Sequence, residues 1–241
     1  MLRKSVLVFI PPLLFSLPLM SQNKSVECID SANVVVAAAI SHDIKIDAAH
    51  AAKEWQNAAP AVFCANWQGK DPDPERQTTV RVLWSPQTLY LRYECRYRDL
   101  YTFDDSDPNG RRDHLWDRDV AEAFLQPDPS KPRYYKEFEI APNGFWIDLD
   151  ISPRPLRDLK SALQHSIWLD KGAHVWAAEL AIPMKALLEE FNPKAEWRAN
   201  FYRIEGQKEP RFYSAWRPTL TPEPNFHVPS AFGRLRFSQA E

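Results

Sequence analysis

The 241-residue chain lacks the defining features of several protein classes. It has no excess of positive charge, with 30 Lys and Arg against 32 Asp and Glu and a formal net charge of −2. Nucleic-acid binding needs clustered positive charge to displace counterions, so we expect no nucleic-acid partner. Glycine is scarce at six residues. No internal repeat or low-complexity tract divides the chain, which predicts a single domain.

A long apolar run is also missing. The only candidate, residues 6–20, is about 15 residues long and contains three prolines, whereas a membrane-spanning helix needs about 20 apolar residues. Because Arg3 and Lys4 precede this run, the pattern is that of a secretory signal peptide. We predict a signal peptide over residues 1–22 and one domain over residues 23–241, exported to the periplasm or secreted. An uncleaved membrane anchor is the alternative; after cleavage we expect no membrane insertion.

Cysteine and the usual metal motifs are sparse. Three cysteines allow at most one disulfide within the chain, and Cys64 is a candidate partner for Cys95. Cys95 continues the alternation of a predicted strand, however, which favours a buried thiol. The six histidines show no HxH or HExxH spacing, so zinc is weakly supported. No CxxCH motif is present, and we expect no haem.

What the chain does contain is short runs of alternating character between proline-rich and aspartate-rich turns. They predict an all-β fold, a β-sandwich of the jelly-roll type with one or two short helices. The predicted strands are residues 44–47, 80–84, 89–95, 121–126, 135–140, 145–149, 174–182, 198–205 and 234–237. Residues 85–88 predict a hairpin turn, and residues 48–55 and 183–190 predict the helices.

Nine tryptophans are present. Trp55, Trp84, Trp176 and Trp197 lie within or beside apolar runs and are predicted to be core, while Trp216 is a candidate to widen a binding surface. Trp116 instead lies between an acidic loop and a strand. An indole in that position can stack on a sugar ring while nearby carboxylates accept hydrogen bonds from its hydroxyls.

The acidic loop itself opens with oxygen-bearing side chains at alternating positions. Asp105, Asp107 and Asn109, followed by Gly110, resemble the start of an EF-hand loop. Residue twelve of such a loop would be Trp116 rather than glutamate, and no helices flank it, which excludes a true EF-hand. A looser structural calcium site at these three residues is the prediction, and a solvated acidic turn is the alternative.

The ordered set of segments resembles the family 9 carbohydrate-binding modules, and the stand-alone family 9-like proteins in particular. The resemblance covers Trp55 and residues 46–47, 81–84, 89–91, 115–125, 134–139, 179–183, 197–201 and 226–233. It implies a non-catalytic, DOMON-like β-sandwich that binds carbohydrate, a plant-type or other β-glycan or its oligosaccharides, in support of polysaccharide catabolism.

The resemblance also implies the ligand-binding residues. Trp116 and Phe226 fall on the family's two sugar-clamping aromatic positions, where Phe226 replaces a tryptophan. Glu122 matches the family's sugar-binding glutamate, and Glu139 stands where the family has a sugar-binding arginine. His227, next to Phe226, is a candidate donor to a sugar hydroxyl.

Other functions stay open on the sequence alone. One alternative is an envelope scaffold that binds protein, and a lesser one is a glycoside hydrolase, which would need two carboxylates across a cleft. Glu137 and Glu139 share a strand face at a spacing of two, as do Asp148 and Asp150, and such pairs usually form solvated faces. We expect a monomer.

Overall fold

A computed structural model describes residues 32–107, 109–153 and 156–239. The predicted signal peptide, residues 1–22, lies outside the described residues. Within the described ranges, no helix is both long and apolar enough to cross a membrane.

The described part of the chain is nearly all β, which confirms the predicted class. Its strands are β1 (Val34–Ala39), β2 (Ala61–Phe63), β3 (Thr78–Trp84), β4 (Thr88–Arg96), β5 (Val120–Gln126), β6 (Tyr135–Ile140), β7 (Trp146–Ile151), β8 (Arg157–Asp158), β9 (Gln164–Asp170), β10 (Val175–Pro183), β11 (Trp197–Glu205), β12 (Phe212–Ala215) and β13 (Gly233–Phe237). One short helix, α1 (Met184–Leu187), follows β10, and 3₁₀ turns cover Lys53–Asn57, Pro74–Arg76, Leu115–Asp117 and Pro229–Ala231.

The strands form one curled sheet whose two halves pack against each other as a sandwich. The order is β8-β7-β6-β5-β11-β13-β1-β3-β4-β10-β9, with β12 on β11 and β2 on β3. Strand β1 joins the halves, because its first residues pair in parallel with β13 while Ala38 and Ala39 pair with β3. The other strand pairs are antiparallel.

The main core lies between the halves and is rich in aromatic side chains. Trp84, Trp176 and Trp197 are buried in it, and Trp55 is buried in a separate small cluster. All four tryptophans predicted to be core are therefore buried. Trp216 is also only 1% exposed and packs in this core. The suggestion that Trp216 widens a binding surface is therefore wrong.

A second, smaller apolar cluster covers the outer face of the half that contains β5, β6 and β11. Strand β5 is buried on both faces. Its Ala121, Ala123 and Leu125 face the main core, whereas Val120 and Phe124 belong to the outer cluster. Side chains at alternate positions of a strand point to opposite faces, so Glu122, between Val120 and Phe124, also faces outward.

Most predicted strands are confirmed within a few residues, and the hairpin of β3 and β4 is confirmed with its turn. The Ser85 amide donates to the Thr88 carbonyl at 2.9 Å, and the Ser85 hydroxyl accepts from the Thr88 amide at 3.0 Å. Residues 44–47 are not a strand. Side chains hold their backbone instead. The Ile44 amide donates a hydrogen bond to the Tyr90 hydroxyl, and the Asp47 amide donates one to the Glu179 carboxylate.

The structure shows the bonding state of two of the three cysteines. Cys95 is a free thiol, 0% exposed on β4, while Cys64 is disulfide-bonded. A bond between Cys64 and Cys95 is therefore wrong, and the buried thiol is confirmed. Burial raises the pKa of the Cys95 thiol to about 12.

This environment predicts that Cys95 is inert in the folded protein. At pH 8, a thiol pKa of about 12 rather than the usual ~8.5 lowers the reactive thiolate fraction by about a thousandfold. We expect iodoacetamide to leave the Cys95 peptide unmodified in the native protein and to alkylate it fully in guanidinium, as read by peptide mass spectrometry. Rapid native alkylation would mean that β4 opens to solvent.

Candidate functional site

A cleft opens on the outer face of the β5–β6–β11 half, and we call it the outer cleft. It has a volume of about 250 Å³. Its lining residues are Trp116, Glu122, Glu137, Leu149, Leu156, Ile204, Tyr213, Pro224, Asn225, Phe226 and His227. The fold thus brings together four of the five residues predicted to bind ligand.

Trp116 lies at the rim of this cleft on the 3₁₀ turn Leu115–Asp117. Leu115 anchors the turn because it is fully buried in the outer apolar cluster. The Trp116 carbonyl accepts a hydrogen bond from Arg211 Nη1 at 2.8 Å. The indole is half-buried, with the ring of His114 at 4.8 Å. A fixed backbone and a partly exposed ring are what a stacking surface requires.

Phe226 forms an apolar wall of the cleft rather than a free platform. Its ring stacks on Tyr202 with centroids 4.1 Å apart, and Tyr213 meets it edge-on at 6.0 Å. Only 7% of Phe226 is exposed. One ring face is therefore taken by Tyr202, and Trp116 offers the larger exposed aromatic surface of the two.

His227 sits at the edge of the cleft with more than half of its side chain exposed. Its Nδ1 lies 2.6 Å from the Tyr135 hydroxyl and 4.0 Å from Glu137 Oε2. Because Nδ1 is engaged by Tyr135, Nε2 is the ring nitrogen left for a ligand.

Three glutamates meet at the floor of the cleft, and we call them the glutamate cluster. Glu122 and Glu137 line the cleft, whereas the predicted ligand residue Glu139 does not and is buried beside them. Glu122 on β5 is the cross-strand partner of Glu139 on β6, and Glu137 lies two residues before Glu139 on the same face. Their exposures are 2%, 3% and 0%, and one carboxylate oxygen from each lies within 4.8 Å of the others. The sequence interpretation of Glu137 and Glu139 as a solvated pair is wrong, because the outer loops cover this face.

The cluster is electrostatically unfavourable when ionised. Burial, as the largest cause, raises the pKa of all three carboxyls, well above the usual range for Glu122 and Glu139. Repulsion adds to this: Glu137 raises the pKa of Glu122, and Glu122 raises that of Glu139. Neither Glu139 oxygen nor Glu137 Oε2 has a protein donor. One proton held by Glu139 would give a hydrogen bond to Glu137 and relieve part of the strain.

Tyr213 and Glu137 are site residues that sequence reasoning missed. Tyr213 is on β12, whose register places it beside Ile204 of β11. Its hydroxyl receives a hydrogen bond from Arg211 Nη2 and donates one to Glu209, both at 2.5 Å. Strand β12 was not predicted from the sequence, so nothing in the sequence linked Tyr213 to Trp116.

The three residues predicted to hold calcium lie on an exposed loop outside the cleft. Asp107 Oδ1 accepts from the amides of Asn109 and Arg111, both at 2.8 Å, and so stabilises the turn itself. Asp105 pairs with Arg112 at 3.4 Å. Protein donors thus already engage both carboxylates. Calcium binding at Asp105, Asp107 and Asn109 stays a prediction.

A concave site with an aromatic rim and a few convergent polar groups, on a rigid β-sandwich, defines a small-ligand-binding module. The family model described as carbohydrate family 9 binding domain-like matches residues 46–239. The chain therefore belongs to this family, which confirms the resemblance seen in the sequence.

Individual relatives are distant. A protein of Arthroderma benhamiae named "Extracellular protein" is 26% identical over 184 residues, covering 69% of this chain and 81% of that protein. Two solved structures of a family 9 carbohydrate-binding module from Caldicellulosiruptor kristjanssonii are 13% identical and share the fold. The complex with cellotriose has a TM-score of 0.61 and covers 86% of this chain and 95% of that one. The complex with glucose has a TM-score of 0.60 and covers 86% and 97%.

Proposed function

We propose that the protein binds carbohydrate without catalysis, in the outer cleft, with a β-glycan or its oligosaccharides as ligand. The observation that carries the proposal is that Trp116 at the rim and carboxylates at the floor line one cleft. A sugar ring has an apolar face for the indole and an edge of hydroxyls for the carboxylates. Phe226 closes the apolar side, and His227 Nε2 reaches a hydroxyl at the edge.

The relatives support the class of ligand and the cellular location. The structures that share the fold hold cellotriose and glucose, both built of glucose units. The name of the Arthroderma benhamiae protein supports export, as does the charged and apolar start of residues 1–22. We propose an exported monomer, periplasmic or secreted, that supports polysaccharide catabolism by holding glycan.

The arrangement of the carboxylates supports binding rather than hydrolysis. Glycosidases place two carboxyl groups on opposite sides of the scissile bond. Here Glu122, Glu137 and Glu139 come from two adjacent strands and converge at one floor. They would all approach a bound sugar from the same side.

Affinity electrophoresis through gels that contain soluble β-glucan, xylan or no polysaccharide tests the proposal. We expect retardation by at least one β-glycan, and no release of reducing ends when the same glycan is incubated with the protein. Equal mobility in all gels would contradict sugar binding, and steady release of reducing ends would show a hydrolase.

A further inference from the structure

The glutamate cluster brings three buried carboxylates together, and several of their oxygens have no hydrogen-bond donor. Glu139 is completely buried, yet neither of its carboxylate oxygens receives a hydrogen bond from the protein, and Glu137 Oε2 lacks one too. Buried carboxylates are normally paired, hydrogen-bonded or bound to metal. Glu139 is the cross-strand partner of Glu122, and the carboxylates of Glu122, Glu137 and Glu139 converge on one point.

The basic side chains near the cluster, Arg211 and His227, do not donate hydrogen bonds to its carboxylates. Arg211 donates its hydrogen bonds to the Trp116 carbonyl, the Tyr213 hydroxyl and the Glu209 carboxylate. His227 lies 4.0 Å from Glu137 Oε2, but its Nδ1 is in hydrogen-bond contact with Tyr135. Apart from a proton shared between Glu137 and Glu139, the three carboxylates therefore have only partial charge compensation, from Arg211 and His227.

We infer that the glutamate cluster binds one calcium ion, whose remaining coordination positions face the outer cleft and take hydroxyls of the bound sugar. An oxygen-only ligand set selects a hard cation over zinc. One oxygen from each glutamate lies within 4.8 Å of the other two. Calcium takes six to eight oxygen ligands at about 2.3–2.6 Å in a flexible geometry, which suits several converging carboxylates, whereas magnesium demands a near-ideal octahedron at about 2.0–2.1 Å.

The position of the cluster gives the ion both an entry path and a role. Glu122 and Glu137 line the outer cleft, and Glu139 lies just behind them. An ion that enters from the cleft meets the first two carboxylates and then the third. Its open side stays toward the cleft, where calcium can complete its six to eight oxygen ligands with water or vicinal sugar hydroxyls. The role in sugar binding rests on the proposed function; the ion site itself does not.

Calcium binding is tested without sugar, by thermal unfolding of the purified protein in EDTA and in excess CaCl₂. A ligand that binds only the folded state at about 100 times its Kd raises the midpoint of a protein this size by about 5 °C or more. We expect this rise in the wild type and in Asp105→Asn, and its loss in Glu139→Gln and Glu137→Gln. If calcium does not raise the midpoint of the wild type, the inference is overturned. It is also overturned if Asp105→Asn abolishes the increase while Glu139→Gln keeps it, because the ion would then bind in the exposed loop.

The role in sugar binding is tested by titrating an oligosaccharide in CaCl₂ and in EDTA. We expect EDTA to weaken binding at least about tenfold, which calcium restores. Equal affinity in both buffers would overturn the calcium-mediated contact while leaving carbohydrate binding intact. A calcium-dependent midpoint with no sugar binding in either buffer would instead overturn the proposed function and leave the ion site standing.

Discussion

Replacing Trp116 by alanine is expected to weaken sugar binding by more than an order of magnitude while leaving the fold intact. The substitution removes the exposed ring at the rim but keeps the backbone carbonyl that accepts from Arg211. Losing an aromatic stacking partner of this size forfeits about 2–3 kcal/mol, which is roughly a 30- to 150-fold rise in Kd. Because a site for one or two sugar rings binds in about the micromolar range, isothermal titration should report a Kd of roughly 30–150 μM for the variant.

The matched control is Trp168→Ala. Trp168 lies on β9 in the other half of the sheet, is 38% exposed, and is not part of the outer cleft. The same change of residue type there should leave sugar affinity unchanged. If both variants bind like the wild type, or if both lose binding together, Trp116 is not the stacking surface.

Replacing Glu139 by glutamine is expected to stabilise the protein when calcium is removed. Glutamine has nearly the same shape, carries no charge, and can donate a hydrogen bond to Glu137 or Glu122. At pH 8 in EDTA, relief of the buried repulsion should raise the free energy of unfolding by about 2 kcal/mol. For a protein of this size, that is a rise of about 4–8 °C in the thermal midpoint.

The pH dependence of this gain follows from the raised pKa of Glu139. A carboxyl whose folded pKa lies above its unfolded value of about 4.3 favours folding at low pH, and that contribution is lost as the pH rises through the folded pKa. The gain from Glu139→Gln should therefore be largest at pH 8 and nearly absent at pH 4, where the wild-type carboxyl is protonated.

Glu205→Gln is the matched control for this prediction. Glu205 is also a buried strand glutamate, but it pairs with the buried Arg203 at 3.3 Å and accepts from the Arg98 amide. Removing its charge takes away the carboxylate that pairs with the buried Arg203, so the same chemical change should destabilise by about 1–3 kcal/mol. A loss of stability in both variants would contradict the view that Glu139 is strained.

The strands were predictable from the sequence where apolar and polar side chains alternate. Strand β6 was predicted with its observed bounds, Tyr135–Ile140, because its alternation is regular. Strand β1 was missed because it reads as a continuous apolar run, and residues 44–47 were wrong because alternation alone does not supply a pairing partner. Side chains of Tyr90 and Glu179 hold that segment instead.

The candidate site was predictable only in part. The family resemblance pointed to Trp116, Glu122 and Phe226, all of which line the cleft. It could not show that Glu137 and Glu139 are buried, since the period of a strand separates its faces but does not say which face a loop covers. The resemblance also could not give the pairing register that places Glu122 opposite Glu139. That register depends on the connection between β5 and β6.

The most direct test of the account is a crystal structure of the protein with a β-linked oligosaccharide and calcium chloride. The account predicts a sugar ring against the Trp116 indole, with a calcium ion at about 2.3–2.6 Å from oxygens of Glu122, Glu137 and Glu139 and from a sugar hydroxyl. Sugar bound elsewhere on the sandwich, with the outer cleft holding only water, would contradict it.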